Sequence, residues 1–141
     1  MIFKTVSYFD IEEVKAAKEK VLKYRDSDFL LDSENTFNFI LKDNREIVGE
    51  ADYKISVDEA DLLYIYIDDP YRKKGYGIEL LEKSLLFLFE RGIKNVYLEV
   101  NENNLPALSL YKKAGFIKVG KREQYYGKEN AYIMKKAIKE E

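Results

Sequence analysis

The order of its predicted elements makes this 141-residue chain an α+β domain built on a mixed sheet. Three observations carry that reading. Strand patterns joined by tight turns follow one another from Thr36 to Ile67, which makes three consecutive antiparallel strands. One strand–helix–strand crossover comes next, from Asp61 to Val100. A further helix and a closing pair of strands complete the chain, so a doubly wound parallel sheet is excluded. The length suits a single domain spanning residues 1–141, large enough to bury about two-thirds of its unfolded surface.

The elements follow in order from their residues. Ile2 to Tyr8 predicts a first strand. Asp10 can cap a helix in which Ile11, Val14, Ala17, Lys18, Val21 and Leu22 follow helical spacing. Tyr24 to Asn35 is polar around Phe29-Leu30-Leu31, and its structure is left open. Thr36 to Leu41 and Ile47 to Ser56 form a hairpin about the turn residues Lys42-Asp43-Asn44-Arg45. Asp58-Glu59 makes the next turn and leads into Asp61 to Ile67, where the run Leu62-Leu63-Tyr64-Ile65-Tyr66-Ile67 reads as a strand buried on both faces. A helix from Gly77 to Arg91 stops at Gly92. In the strand Asn95 to Val100, residues Val96, Leu98 and Val100 face one way and Asn95, Tyr97 and Glu99 the other. Asn104 caps the next helix, Pro106 fits its first turn and Gly115 its end. Phe116 to Gly120 and Ala131 to Ile138 are the last strands, separated by a Tyr-rich connection.

Composition removes whole classes of chemistry. The chain has no His and no Cys. Ser-His-Asp and Cys-His nucleophile systems are therefore impossible, as are His- or Cys-ligated metal sites, and no metal is expected. Acid–base work must come from Asp, Glu, Tyr, Lys or ordered water. A net charge of −2 gives no global basic field, so no nucleic-acid partner is expected. No apolar run approaches membrane-spanning length and no signal-peptide pattern opens the chain, so cytoplasmic location without membrane association is expected. A monomer or weak homodimer is expected.

The stretch Arg72-Lys73-Lys74-Gly75-Tyr76-Gly77 lies between an apolar strand and a helix start, an arrangement that binds phosphate. The first amides of a helix lack intrahelical partners, and glycine lets the backbone approach a ligand. Two nucleotide fingerprints fail. Nothing here matches G-x-x-x-x-G-K-[ST], and G-x-G-x-x-G would need glycine at Leu80. Taken alone, the loop reads equally as an ordinary solvated basic turn.

Its context is more specific. Asp68 to Gly77, directly after an apolar strand, resembles the coenzyme A pyrophosphate loop of the GNAT acetyltransferase superfamily, [QR]-x-x-G-x-[GA], with Arg72, Gly75 and Gly77 in its positions. The family's second motif follows: Asn104, Ala107, then Leu110-Tyr111-Lys112-Lys113-Ala114-Gly115-Phe116. The resemblance covers roughly residues 36–138. Within the superfamily the chain is similar to the ribosomal-protein-alanine N-acetyltransferases. Ala60-Asp61-Leu62-Leu63-Tyr64-Ile65 resembles their A-E-L-L-x-I strand, and Leu98-Glu99-Val100 with Asn104 and Ala107 their L-E-V-R-x-x-N-x-x-A run, with Asn101 for Arg. Arg122, Tyr125-Tyr126 and Glu129-Asn130-Ala131 through Met134 resemble R-x-x-Y-Y and E-D-A-x-x-M, with Asn130 for Asp. The P-W-S segment of those enzymes is missing, and the loop before the last strand is short.

The resemblance implies the GNAT fold, a mostly antiparallel sheet with one splayed parallel pair, and direct acetyl transfer from acetyl-CoA to an amine. It implies a protein or peptide amino terminus as acceptor; a small amine such as a polyamine or amino acid is the alternative, and a non-catalytic acyl-CoA-binding module a third. It carries Glu99 over as the acceptor of the amine's proton and Tyr111, twelve residues on, as the donor to the leaving thiolate. It assigns Leu63, Ile65, Ile67, Arg72, Lys73, Lys74, Gly75, Tyr76, Gly77, Asn104 and Tyr111 to the cofactor, with a backbone amide of the Leu63 to Ile67 strand as oxyanion donor. Tyr125 and Tyr126 would line the acceptor groove. From the residues alone, Glu99 also reads as a strand-end carboxylate in water, Tyr111 as a core residue on an apolar stripe, and the tyrosine pair as an aromatic turn.

Overall fold

The computed structural model describes residues 2–6, 35–44 and 46–138. The helix expected from Asp10 to Leu22 and the segment Tyr24 to Glu34 lie outside the described residues. Among those residues seven strands form one sheet: β1 Ile2–Val6, β2 Thr36–Asp43, β3 Glu46–Ser56, β4 Glu59–Ile67, β5 Asn95–Asn101, β6 Ile117–Tyr126 and β7 Glu129–Ala137. Their spatial order is β1-β2-β3-β4-β5-β7-β6. All neighbours run antiparallel except β4 and β5, which are joined by α1, Tyr76–Glu90. A second helix, α2, spans Leu105–Lys113 between β5 and β6. No described helix is long and apolar enough to cross a membrane.

The hairpins turn on residues in the left-handed region, Asn44 and Val57, both at φ 57°. Asn tolerates that conformation, whereas a β-branched Val in it is strained. Some expected boundaries move, among them the start of β4, which lies at Glu59, a residue expected in the turn, and not at Asp61. β2 runs on to Asp43, so its turn begins at Asn44 rather than Lys42. The Tyr-rich connection expected between the last strands is itself strand, because β6 continues to Tyr126 and turns at Gly127, φ 73°. A run of β-favouring residues ending at a glycine already held that signal.

The core lies between the sheet and α1. Leu81, Leu85 and Leu88 of α1 are buried with Phe39, Ala51, Tyr53 and Val96. Phe87 meets Phe37 and Phe39 edge-on at 5.7 and 5.2 Å. Inside the same layer the Tyr53 hydroxyl hydrogen bonds to Ser84 at 2.6 Å. That bond satisfies two polar groups that burial would otherwise penalise.

Both helices stop in the same way. Gly92, at φ 94°, donates to the Phe89 carbonyl and Ile93 to that of Leu88, a Schellman motif with buried Ile93 as its apolar lid. In α2, Gly115 at φ 98° donates to Lys112, and Phe116 donates to Tyr111. Phe116 is buried, and its ring meets that of Tyr111 at 5.9 Å. The spacing L-Y-x-x-x-G-F is thus a helix stop that fixes Tyr111 one turn before the glycine.

β4 departs from expectation. A strand covered on both faces was expected, yet Leu63 is 47% exposed and only Leu62 of the apolar run is buried. The reason is topological: the parallel pairing of β4 with β5 covers only Glu59–Asn95, Ala60–Val96 and Asp61–Tyr97. Beyond Asp61 the strands diverge and β4 loses cover on that side. The register against β3 also slips there, since Tyr53 faces Leu62 and Asp52 faces Tyr64. Leu63 is the extra residue of a β-bulge, which adds twist and turns the strand away.

Gly49 of β3 supports the end of that diverging strand. A Cβ there would sit 2.5 Å from Ile67 Cδ1 and 2.6 Å from the Tyr66 carbonyl oxygen. Gly49→Ala is expected to destabilise the fold by about 1–3 kcal/mol through overpacking. Thermal denaturation should show a drop of several degrees; an unchanged Tm would mean that β4 yields freely at Tyr66.

Candidate active site

The glycine loop is built to present backbone amides. Lys73 and Gly75 both take left-handed conformations, φ 62° and 84°, on either side of Lys74. Alternation of this kind turns successive N–H groups toward one concave side. The first helical bond of α1 runs from Glu79 N–H to the Gly75 carbonyl, so the amides of Tyr76, Gly77 and Ile78 have no acceptor in the helix. The loop's acidic lead-in is folded back: the Asp68 side chain accepts from Asp69 N–H at the start of a 3-10 turn, Asp69–Tyr71. The Arg72 side chain is committed to the scaffold. Its Nε donates to the Ile67 carbonyl at 2.9 Å, it pairs with Asp69 at 3.1 Å, and its guanidinium lies 5.5 Å from the Tyr66 ring.

A cleft of about 430 Å³ opens between this loop, the end of β4 and the start of α2. Five residues expected at the cofactor line it: Ile65, Ile67, Arg72, Lys73 and Gly77. Sequence reasoning missed Tyr66, Tyr71, Pro106, Ala107 and Leu110, which also line it. Pro106, Ala107 and Leu110 lie on the first turns of α2, and only the packing of α2 beside α1 reveals that they face the loop. Leu63, Lys74, Gly75, Tyr76, Asn104 and Tyr111 stand outside this lining. Tyr76 donates its hydroxyl to Asp43 at 3.2 Å, which pulls its side chain toward the β2–β3 turn. Asn104 acts as a cap, its Oδ1 accepting from Ala107 N–H at 3.3 Å. Tyr111 follows Ala107 by four residues and so shares that face of α2.

Glu99 lies on β5 two residues beyond Tyr97, where the pairing with β4 ends. β5 alternates as expected, with Val96, Leu98 and Val100 buried and Tyr97 and Glu99 half-buried. The Glu99 side chain is 28% exposed, and its Oε1 accepts from Arg122 Nη2 at 2.6 Å. It is thus neither free in water nor sealed in the core. Asp61, across the last β4–β5 pair, belongs to the same electrostatic neighbourhood. Its pKa is raised, first by burial, then by Glu59, with Glu99 adding to the effect and Lys54 opposing it. The Tyr97 phenol is also pushed up, mainly by its hydrogen bond to Glu59.

The two departures from the related sequences fall together beside this carboxylate. Asn101 donates to Glu129 and accepts from Asn103 N–H at 2.8 Å. Asn130 donates to Glu102 at 3.2 Å. Neutral amides therefore tie the β5–α2 turn to the start of β7. The backbones of Tyr125 and Tyr126 belong to β6, close to its turn.

The model of the Acetyltransferase (GNAT) family matches residues 6–116. The chain belongs to that family. It is an acetyl-CoA-dependent N-acetyltransferase. It is 36% identical over 105 residues to the [ribosomal protein bS18]-alanine N-acetyltransferase of Escherichia coli K12, covering 72% of this chain and 71% of that one. Identity to the Haemophilus influenzae enzyme of the same name is 40% over 106 residues, covering 72% of each. The crystal structure of the Escherichia coli ribosomal-protein-S18-alanine N-acetyltransferase superposes with a TM-score of 0.80 at 26% identity, covering 99% of this chain and 95% of that one. The splayed sheet is therefore the fold of this family.

The residues present fit the donor. A cleft walled by Ile65, Ile67, Ala107 and Leu110 suits an apolar chain, while the loop amides and Lys73 suit a pyrophosphate. A Cβ on Gly77 would meet Leu110 at 3.7 Å and Ile67 at 3.8 Å, ordinary contacts that point into the cleft without straining the fold. Gly77→Ala is expected to fold at least as stably as the parent, since alanine favours a helix by about 0.5–1 kcal/mol. Gly77→Glu, with bulk and negative charge at the amides, should abolish coenzyme A binding in titration calorimetry; retained binding would refute the loop's role.

Proposed function

We propose that this enzyme acetylates the α-amino group of a protein or peptide amino terminus, with Glu99 accepting the amine's proton and Tyr111 protonating the leaving sulfur. The observation that carries the reading is the placement of Glu99: a half-buried carboxylate, held by one partner, where β4 and β5 have parted. The names of its relatives, alanine N-acetyltransferases of a ribosomal protein, support the choice of acceptor.

Acetyl-CoA, when bound, supplies an activated thioester. The chain's own groups do the rest. Lys73 to Gly77 and the start of α1 receive the pyrophosphate through backbone amides. A backbone amide of the Leu63 to Ile67 stretch of β4, whose Ile65, Tyr66 and Ile67 line the cleft, is the donor we assign to negative charge on an acyl oxygen. Tyr111 is held in one orientation by the helix stop and by Phe116. A phenol of ordinary pKa about 10 can return a proton to a thiolate.

The acceptor follows from magnitudes. An α-amino group titrates near 8 and needs little help to be neutral at pH 7, whereas a lysine amine at about 10.4 costs roughly 4–5 kcal/mol to deprotonate. A single carboxylate, acting directly or through one water, suits the former. Tyr125 and Tyr126 are the aromatic residues we assign to the peptide.

Two measurements test this. Acetyl-CoA consumption should be fastest with peptides carrying a free amino-terminal alanine; turnover confined to lysine side chains or spermidine would overturn the acceptor. Glu99→Gln and Tyr111→Phe should each lower kcat by about 10²–10⁴-fold while coenzyme A affinity stays within a few-fold. Unchanged rates in both would remove the assigned roles, and coenzyme A binding without turnover of any acceptor would indicate a binding module.

A further inference from the structure

We propose that Arg122 is a positioning residue for Glu99, pinning Oε1 so that Oε2 is the oxygen offered to the acceptor's proton. The inference rests on the reading of Glu99 as the proton acceptor and deepens it.

The pair is not a neighbourly surface contact. Glu99 lies on β5 and Arg122 on β6, and β7 runs between them. The register places Glu99 against Ile133 and Asn101 against Ala131 on one side of β7. On its other side Gly120 faces Ile133 and Arg122 faces Ala131. The guanidinium must therefore cross a whole strand, diagonally, to reach the carboxylate at 2.6 Å. Ala131, small and fully buried, stands on β7 at the level of Arg122, while Ile133 stands at the level of Glu99 and packs over Gly120. The diagonal therefore runs past the small side chain of Ala131.

The carboxylate's two oxygens are thereby distinguished. Among the described residues, Arg122 is the donor to Glu99 and reaches only Oε1; none reaches Oε2. From the β4 side the ionisable neighbour is Asp61, which carries the same charge as Glu99 and cannot donate to it when ionised. With Arg122 removed, Glu99 would face like charge and keep no fixed rotamer. The pair is also largely solvent-exposed on the arginine side, 55%, so it adds little to folding stability and its loss should register in turnover instead. A general base must sit within hydrogen-bond reach of the proton it takes, and small misplacements are costly.

The test is a mutant cycle with the best acceptor of the panel above: Arg122→Gln, Arg122→Lys and Glu99→Gln, with Arg122→Gln also combined with Glu99→Gln. Arg122→Gln should lower kcat by about 10- to 100-fold with KM for acetyl-CoA within twofold and Tm unchanged. Arg122→Lys, which keeps the charge but not the fork, should recover part of the loss. Combined with Glu99→Gln, Arg122→Gln should have no further effect, because the group it positions is already lost. Wild-type kcat in Arg122→Gln beside a slow Glu99→Gln overturns this inference and leaves the base assignment intact. Multiplicative losses in the double variant overturn it too, since Arg122 would then act independently. Wild-type kcat in Glu99→Gln overturns the base assignment itself.

Discussion

The parallel pairing between β4 and β5 ends early, and the cleft follows from that. Three residue pairs hold the strands together, and then the Leu63 bulge and the turn into the glycine loop take β4 away. A sheet that separates in its middle would normally leave backbone polar groups and apolar side chains without partners. Here the gap is used. The end of β4, the start of α2 and the glycine loop line the cleft, and Glu99 of β5 lies two residues beyond Tyr97, the last residue paired with β4. Continuous pairing of the two strands would take that space away.

The scaffold around the gap is stiff where it must be. α1 is anchored by a buried leucine face and by the Tyr53–Ser84 bond, so its N-terminal amides stay fixed relative to β4. Arg72 binds the loop back to Ile67 and Asp69, which explains a basic residue at that motif position without requiring contact with phosphate. The second motif has a similar double reading. Asn104 starts α2 as its cap and Gly115-Phe116 ends it, so the spacing that identifies the family is also the spacing that builds a short helix and orients Tyr111 on it. Reading Tyr111 as a packed residue and as a proton donor are compatible: packing gives its ring one orientation.

Where the chain departs from its relatives, the structure shows the substitutions sharing one neighbourhood. Asn101 and Asn130 each hydrogen bond to a glutamate, Glu129 and Glu102, between the β5–α2 turn and β7. The replaced residues of the related pattern, Arg and Asp, are charged, so this chain keeps a polar tie there with two amides instead. The tie adjoins the strand that carries Glu99, and none of its four residues lines the cleft.

Much of this was legible in one dimension. Strand alternation put Val96, Leu98 and Val100 inside and Glu99 outside, and glycines at 92 and 115 marked both helix stops, because side-chain period and left-handed backbone are local properties. The absence of His and Cys limited the chemistry before any fold was considered. Other features depended on residues distant in the chain. Pro106, Ala107 and Leu110 became cleft walls only when α2 packed beside α1. Leu63 became exposed only because β4 and β5 part, and no property of an apolar hexapeptide encodes where its neighbour stops pairing. The reach of Arg122 across β7 to Glu99 needed a register, which is set by the whole sheet. Residue types alone limit which groups can do the chemistry; which of them come near one another depends on strand order and register that no local pattern contains.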